Sequence, residues 1–132
     1  MKIFHVDDEK EVLKSVATVL HRMGHFVESI DNLVDSLLDV QDFDYDLIIL
    51  DLDIQDGAGG ESVQKLLDMS KPDTPIIYYS GNIDDSVMRK YLSETRNVRS
   101  EDNHGGIWFV TKGYNSINEL IDIVEEIENK EN

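Results

Sequence analysis

Cysteine is absent from the 132 residues, which removes disulfides, thiolate metal sites and cysteine nucleophiles together. That absence fits a cytoplasmic protein. Basic residues are scarce: 12 Lys and Arg face 28 Asp and Glu, a formal charge of -16. Such a surface repels nucleic acid phosphates, so no direct nucleic acid partner is expected. It suits cations and basic protein patches, and it also serves solubility. No apolar run approaches bilayer length, so no membrane span is expected. No secretory leader is expected either, because Asp7 and Asp8 interrupt the first apolar run after Val6. Repeats, low-complexity tracts and linkers are lacking, so residues 1–132 read as a single domain with 40% apolar residues for one core.

Two kinds of segment alternate. Short runs rich in Ile, Val and aromatics lie at residues 2–6, 25–30, 47–50, 75–79 and 107–111, and they read as strands. The run Leu47-Ile48-Ile49-Leu50 has no polar alternation, as expected for a central strand covered on both faces. Between the runs, apolar residues recur at intervals of three and four. Val12, Val16, Val19, Leu20 and Met23 form one stripe, and Ile117, Leu120, Ile121, Val124 and Ile127 another. Shorter stripes are Leu33, Val34, Leu37 and Leu38, then Val63, Leu66 and Leu67, then Val87, Met88, Tyr91 and Leu92. Each predicts an amphipathic helix. The order is β-α five times, which predicts a parallel, doubly wound α/β sheet with helices on both faces. Residues 96–106 are polar and aperiodic and read as a long loop or frayed helix end.

Ligands on such sheets bind beyond the carboxyl ends of the strands. Asp7, Asp8 and Glu9 follow the first run, Asp51 the third, Ser80-Gly81 the fourth and Lys112 the fifth. Three aspartates converging on one rim repel one another unless a cation enters. Oxygen ligands alone favour a hard ion such as Mg²⁺, and no His or Cys joins them to favour zinc. A carboxylate beside such an ion can attack a phosphoryl group and form an acyl phosphate. It needs no general base, being ionised already at neutral pH. Lys112 would offset charge on the transferring oxygens, and Ser80 would donate a hydrogen bond to one of them.

In this order, Val6-Asp7-Asp8-Glu9, Asp51, Ser80-Gly81 and Lys112 resemble the receiver domains of two-component response regulators, over the whole chain. The resemblance implies a flavodoxin-like sheet of order 2-1-3-4-5. It implies Asp51 as phosphoacceptor, and Mg²⁺ or Mn²⁺ held by Asp7, Asp8, Asp51 and the backbone carbonyl of Asp53. Ser80 and Lys112 would contact the phosphoryl group, and Ser80 and Phe109 would act as switch residues. The donor would be a histidine kinase or histidine phosphotransfer protein. A downstream protein would bind the face of the fourth helix, fifth strand and fifth helix, and homodimers are among the assemblies the resemblance allows. The chain would be no enzyme beyond self-catalysed phosphoryl acceptance and autodephosphorylation.

Several positions depart from the family pattern. Gln55 stands where a proline is usual, and Gly113 replaces the proline that usually follows the lysine. Asp53 and Asn82 occupy positions that tune phosphate lifetime in family members, and the stretch from Ser80 to Lys112 is long. These departures leave open a degenerate receiver that binds partners without phosphorylation. Asp51-Leu52-Asp53 also resembles the DxD motif of haloacid-dehalogenase-type phosphatases, whose pattern continues to Thr or Val where this chain has Gln55. Blander roles stand beside the sharp ones. Asp8 and Glu11 have capping-box spacing, Phe109 suits a core aromatic, Trp108 suits packing or a partner face, and His5 reads as structural. His21, His25 and His104 lack ligand-like spacing.

Overall fold

The computed structural model describes residues 1–32, 44–51, 66, 68–70, 73–81, 83–84, 86 and 106–131. Five parallel strands form one sheet in the order β2-β1-β3-β4-β5: β1 Lys2–Val6, β2 Phe26–Ile30, β3 Leu47–Leu50, β4 Ile76–Ser80 and β5 Ile107–Thr111. The doubly wound α/β expectation therefore holds, with the expected order. Two expected strands shift by one residue: β2 starts at Phe26, and β4 runs on to Ser80. That second shift matters, because it makes Ser80 part of the sheet, paired in register with Thr111.

The first helix, α1, spans Lys10–Arg22 and buries Leu13, Val16 and Leu20, one stripe of a 3.6-residue period. It stops at Gly24, whose φ of 92° is the left-handed conformation that glycine tolerates best. The Gly24 N–H donates to the His21 carbonyl and the His25 N–H to the Leu20 carbonyl, both at 3.0 Å, which is a Schellman cap. At the other end the capping-box expectation fails. Glu9 is the N-cap and makes no side-chain cap bond, while its own N–H donates to Asp7 Oδ1 at 2.9 Å. Asp8 is left exposed. The last described helix spans Ser116–Glu131 and buries Leu120, Val124 and Ile127. The shorter stripe at 33–38 lies outside the described residues, as do Val87 to Leu92 and 96–105. From the 63–67 stripe, Leu66 is helical and fully buried.

Strand periodicity sends alternate side chains to opposite faces. Ile3, Leu47, Ile49, Ile77, Tyr79 and Val110 meet α1 and the C-terminal helix. Phe4, Val6, Ile48, Leu50, Ile76 and Tyr78 meet Leu66 and the far side. All four β3 side chains are fully buried, each stabilising the fold by about 1.5–3 kcal/mol. This two-faced burial is why β3 carries no polar residue until Asp51. Among the described residues no helix is long and apolar enough to cross a membrane.

Candidate functional site

Asp7, Asp51 and Lys112 each stand one step past a strand, and the N–H of each is tied to a neighbouring strand. Asp7 N–H donates to the Ile30 carbonyl at 3.0 Å, Asp51 N–H to the Val6 carbonyl at 3.0 Å, and Lys112 N–H to the Ser80 carbonyl at 2.8 Å. Parallel pairing thus extends one residue beyond the apolar runs and fixes three polar residues on the same rim.

Their side chains meet. Lys112 Nζ lies 2.7 Å from Asp7 Oδ2 and 3.0 Å from Asp51 Oδ2, donating a hydrogen bond to the latter. Glu9 Oε1 is 4.0 Å away and largely exposed, a weak third contact. Asp7 and Asp51 are almost wholly buried. Burial pushes the Asp7 carboxyl up to about 6, against the opposing pull of Lys112 and the Glu9 N–H, with Asp51 adding to the rise. For Lys112, burial by itself would lower the pKa. The two carboxylates outweigh it, and the net shift is upward.

The residues fit a divalent cation on two counts. Asp7, Asp8 and Asp51 each offer a carboxylate oxygen, all within 4.8 Å of one another. Asp7 Oδ2 is also buried, and among the described residues its one close polar contact is the 2.7 Å ion pair with Lys112, which leaves it coordination capacity for a cation. An all-oxygen set with one exposed member, Asp8, leaves room for water and suits Mg²⁺.

Ser80 is fully buried at the end of β4. Extending the β3–β4 register puts Asp51 alongside Tyr79, with Ser80 one position further. Phe109 is half-buried and stacks on buried Tyr78, with centroids 5.1 Å apart and planes 19° apart. Its neighbour Trp108 faces the opposite core. Asp53, Gln55, residues 56–59 and Asn82 lie outside the described residues. The peptide bonds of the described residues are trans, that between Lys112 and Gly113 included. His5 is fully buried, and among the described residues neither ring nitrogen has a hydrogen-bond partner. Burial first, then Lys112, hold its pKa down to about 4, against an opposing effect of Asp51. Sequence reasoning left two residues at this rim without a role, Glu9 and Tyr79. The adjacency of Tyr79 to Ser80 was the available signal.

The sequence profile of the response regulator receiver domain matches residues 3–125, and the chain belongs to that family. It is a receiver domain of two-component signalling. No protein of curated function matches it by sequence. A two-component response regulator from Clostridium difficile is 21% identical with a TM-score of 0.75, covering 100% of this chain and 98% of its own. The CheY-like receiver domain protein of Methanospirillum hungatei JF-1 is 21% identical with a TM-score of 0.71, covering 98% and 95%. The response regulator TrrA of Thermotoga maritima, solved in complex with Mg²⁺-BeF, is 24% identical with a TM-score of 0.66, covering 96% and 97%. At these identities the likeness is one of fold.

Proposed function

We propose that Asp51 accepts a phosphoryl group from a phosphohistidine of a histidine kinase or phosphotransfer protein, and that the protein signals through a surface this event alters. The observation that carries the reading is Lys112 held between Asp7 and Asp51, 2.7 Å and 3.0 Å away, at the strand-end rim. An Asp51 oxygen attacks phosphorus in line as the phosphorus–nitrogen bond of the donor breaks. The electron pair leaves on the imidazole nitrogen, which then takes a proton. The Lys112 ammonium, already hydrogen-bonded to Asp51, offsets charge on the transferring oxygens. Ser80, at the end of β4, donates its hydroxyl to one of them.

Asp7, Asp8 and Asp51 are the side chains that would hold Mg²⁺ or Mn²⁺, with the Asp53 carbonyl as a further ligand by family resemblance. Such an ion neutralises phosphoryl oxygen charge. The Mg²⁺-BeF complex of TrrA, a relative in fold, supports that assignment. Phe109 is the switch aromatic in this reading, its ring stacked on Tyr78 before phosphorylation. The protein turns over no external substrate beyond accepting and losing this group.

The test is acetyl phosphate with Mg²⁺, read as a mass increase of one phosphoryl group. Wild type gains it and Asp51→Asn does not. Equal labelling of the variant would remove Asp51 from this role, and an unlabelled wild type would point to a binding module instead.

A further inference from the structure

Tyr79 is a β4 residue that this chemistry does not use. Its ring is 4% exposed, on the face covered by α1 and the C-terminal helix. A buried phenol needs a polar partner, and Tyr79 finds it on another element. Its Oη is 2.7 Å from Oγ of Ser116, the first residue of the C-terminal helix, in a buried contact. The ring meanwhile lies 5.8 Å from Lys112 Nζ, within reach of a cation–π attraction.

The chain from Lys112 to Ser116 is therefore anchored at both ends to consecutive residues of β4. At one end the Lys112 N–H donates to the Ser80 carbonyl at 2.8 Å. At the other, Ser116 meets Tyr79, and its N–H closes a turn onto the Gly113 carbonyl at 3.1 Å. The span between is weakly held. Gly113 has no atom within 4 Å of the position its Cβ would take, Tyr114 is 97% exposed, and Asn115 has a φ of 64°. Glycine gives such a span more freedom to lose on ordering than any other residue. A cleft of about 470 Å³ bordered by Glu9, Val12, Tyr79, Lys112 and Ser116 opens beside it, so packing does little to hold it there.

We propose that the Tyr79–Ser116 hydrogen bond positions Lys112 over Asp51, making Tyr79 and Ser116 positioning residues for phosphoryl acceptance. The inference rests on the phosphoacceptor reading of Asp51. A lysine stem is flexible, so the location of its backbone decides how well Nζ bridges two carboxylates.

The rate of labelling by acetyl phosphate at saturating Mg²⁺, well below the melting midpoints, tests it. Tyr79→Phe keeps the ring and removes only the hydroxyl, and Ser116→Ala removes the other partner. Each slows labelling about fivefold, equivalent to the ~1 kcal/mol net worth of one hydrogen bond. The double variant is no slower than either single one, because both report one interaction. Adding Gly113→Ala to Tyr79→Phe stiffens the span and recovers part of the rate.

A labelled wild type with unchanged rates in both single variants overturns this inference and leaves the role of Asp51 standing, even if melting midpoints fall. Additive slowing in the double variant, or no recovery with Gly113→Ala, also overturns it. If wild type and Asp51→Asn are both unlabelled, the phosphoacceptor reading itself fails.

Discussion

Lys112 Nζ stands closer to Asp7 Oδ2 (2.7 Å) than to Asp51 Oδ2 (3.0 Å). The lysine therefore neutralises both buried carboxylates, and in the proposed reading its ammonium and a divalent cation compete for the same charge.

The first prediction follows from that competition. Lys112→Met leaves two buried carboxylates facing each other without a cation. In metal-free buffer it loses about 3 kcal/mol of stability, the lower range for breaking a buried ion pair. Its Mg²⁺ affinity rises above that of wild type. Urea denaturation and a calorimetric Mg²⁺ titration check both parts, and weaker Mg²⁺ binding by the variant would refute the competition.

If the proposed site binds Mg²⁺, the expected outcome is a fold stabilised by about 2.7 kcal/mol at a hundredfold excess over the dissociation constant. Asp8 is exposed, so Asp8→Asn leaves metal-free stability within about 0.5 kcal/mol of wild type. The same variant raises the Mg²⁺ concentration at which stabilisation appears. Melting curves across a Mg²⁺ series give both quantities.

The pH profile of stability in metal-free buffer hides two opposed contributions. His5 falls from 6.5 to about 4 on folding. The unfolded chain takes up that proton first, so stability is lost as pH falls from 6.5 towards 4. Asp7 rises from 3.8 to about 6. The fold holds a proton the unfolded chain has released, so stability is lost as pH rises from about 4 to about 6. Each amounts to roughly 3 kcal/mol at 1.36 kcal/mol per pKa unit. His5→Val therefore unmasks stability that falls with rising pH in this window. Asp7→Asn unmasks stability that rises. Slopes of the same sign in both variants would refute the assignment.

Gly106 has a φ of 104°, and a Cβ there would come within 2.2 Å of the Trp108 ring. Gly106→Ala meets both a left-handed backbone, costing about 1–2 kcal/mol, and an overpacking penalty of about 1–3 kcal/mol. The sum shows as a lowered urea midpoint, with Trp108 fluorescence as the probe. Labelling of Asp51 below the new midpoint is retained.

Much of the fold was legible because burial leaves a residue-level record. The unbroken Leu47–Leu50 run can only be a strand covered on both faces, and the Leu13, Val16, Leu20 face of α1 repeats at the helical period. The rim was legible for a related reason. Polar residues directly after such runs must sit at the sheet edge, and Asp7, Asp51 and Lys112 do. The start of α1 was less legible, because Asp8 suits the N-cap by type while Glu9 occupies it. The 2.9 Å bond from Glu9 N–H to Asp7 Oδ1 decides between them, and it depends on where Asp7 is fixed by β2.

By itself the sequence determined the succession of the strands, the first and last helices, the two-faced core and which residues reach the strand ends, since periodicity and residue type act locally. Tertiary structure alone decided that Lys112 bridges Asp7 and Asp51, that Tyr79 bonds Ser116 across 37 positions, and that His5 is sealed in with no partner among the described residues. Those relationships join residues far apart in the chain. Their energies depend on distances of a few tenths of an ångström and on the water excluded around them, which no local pattern encodes.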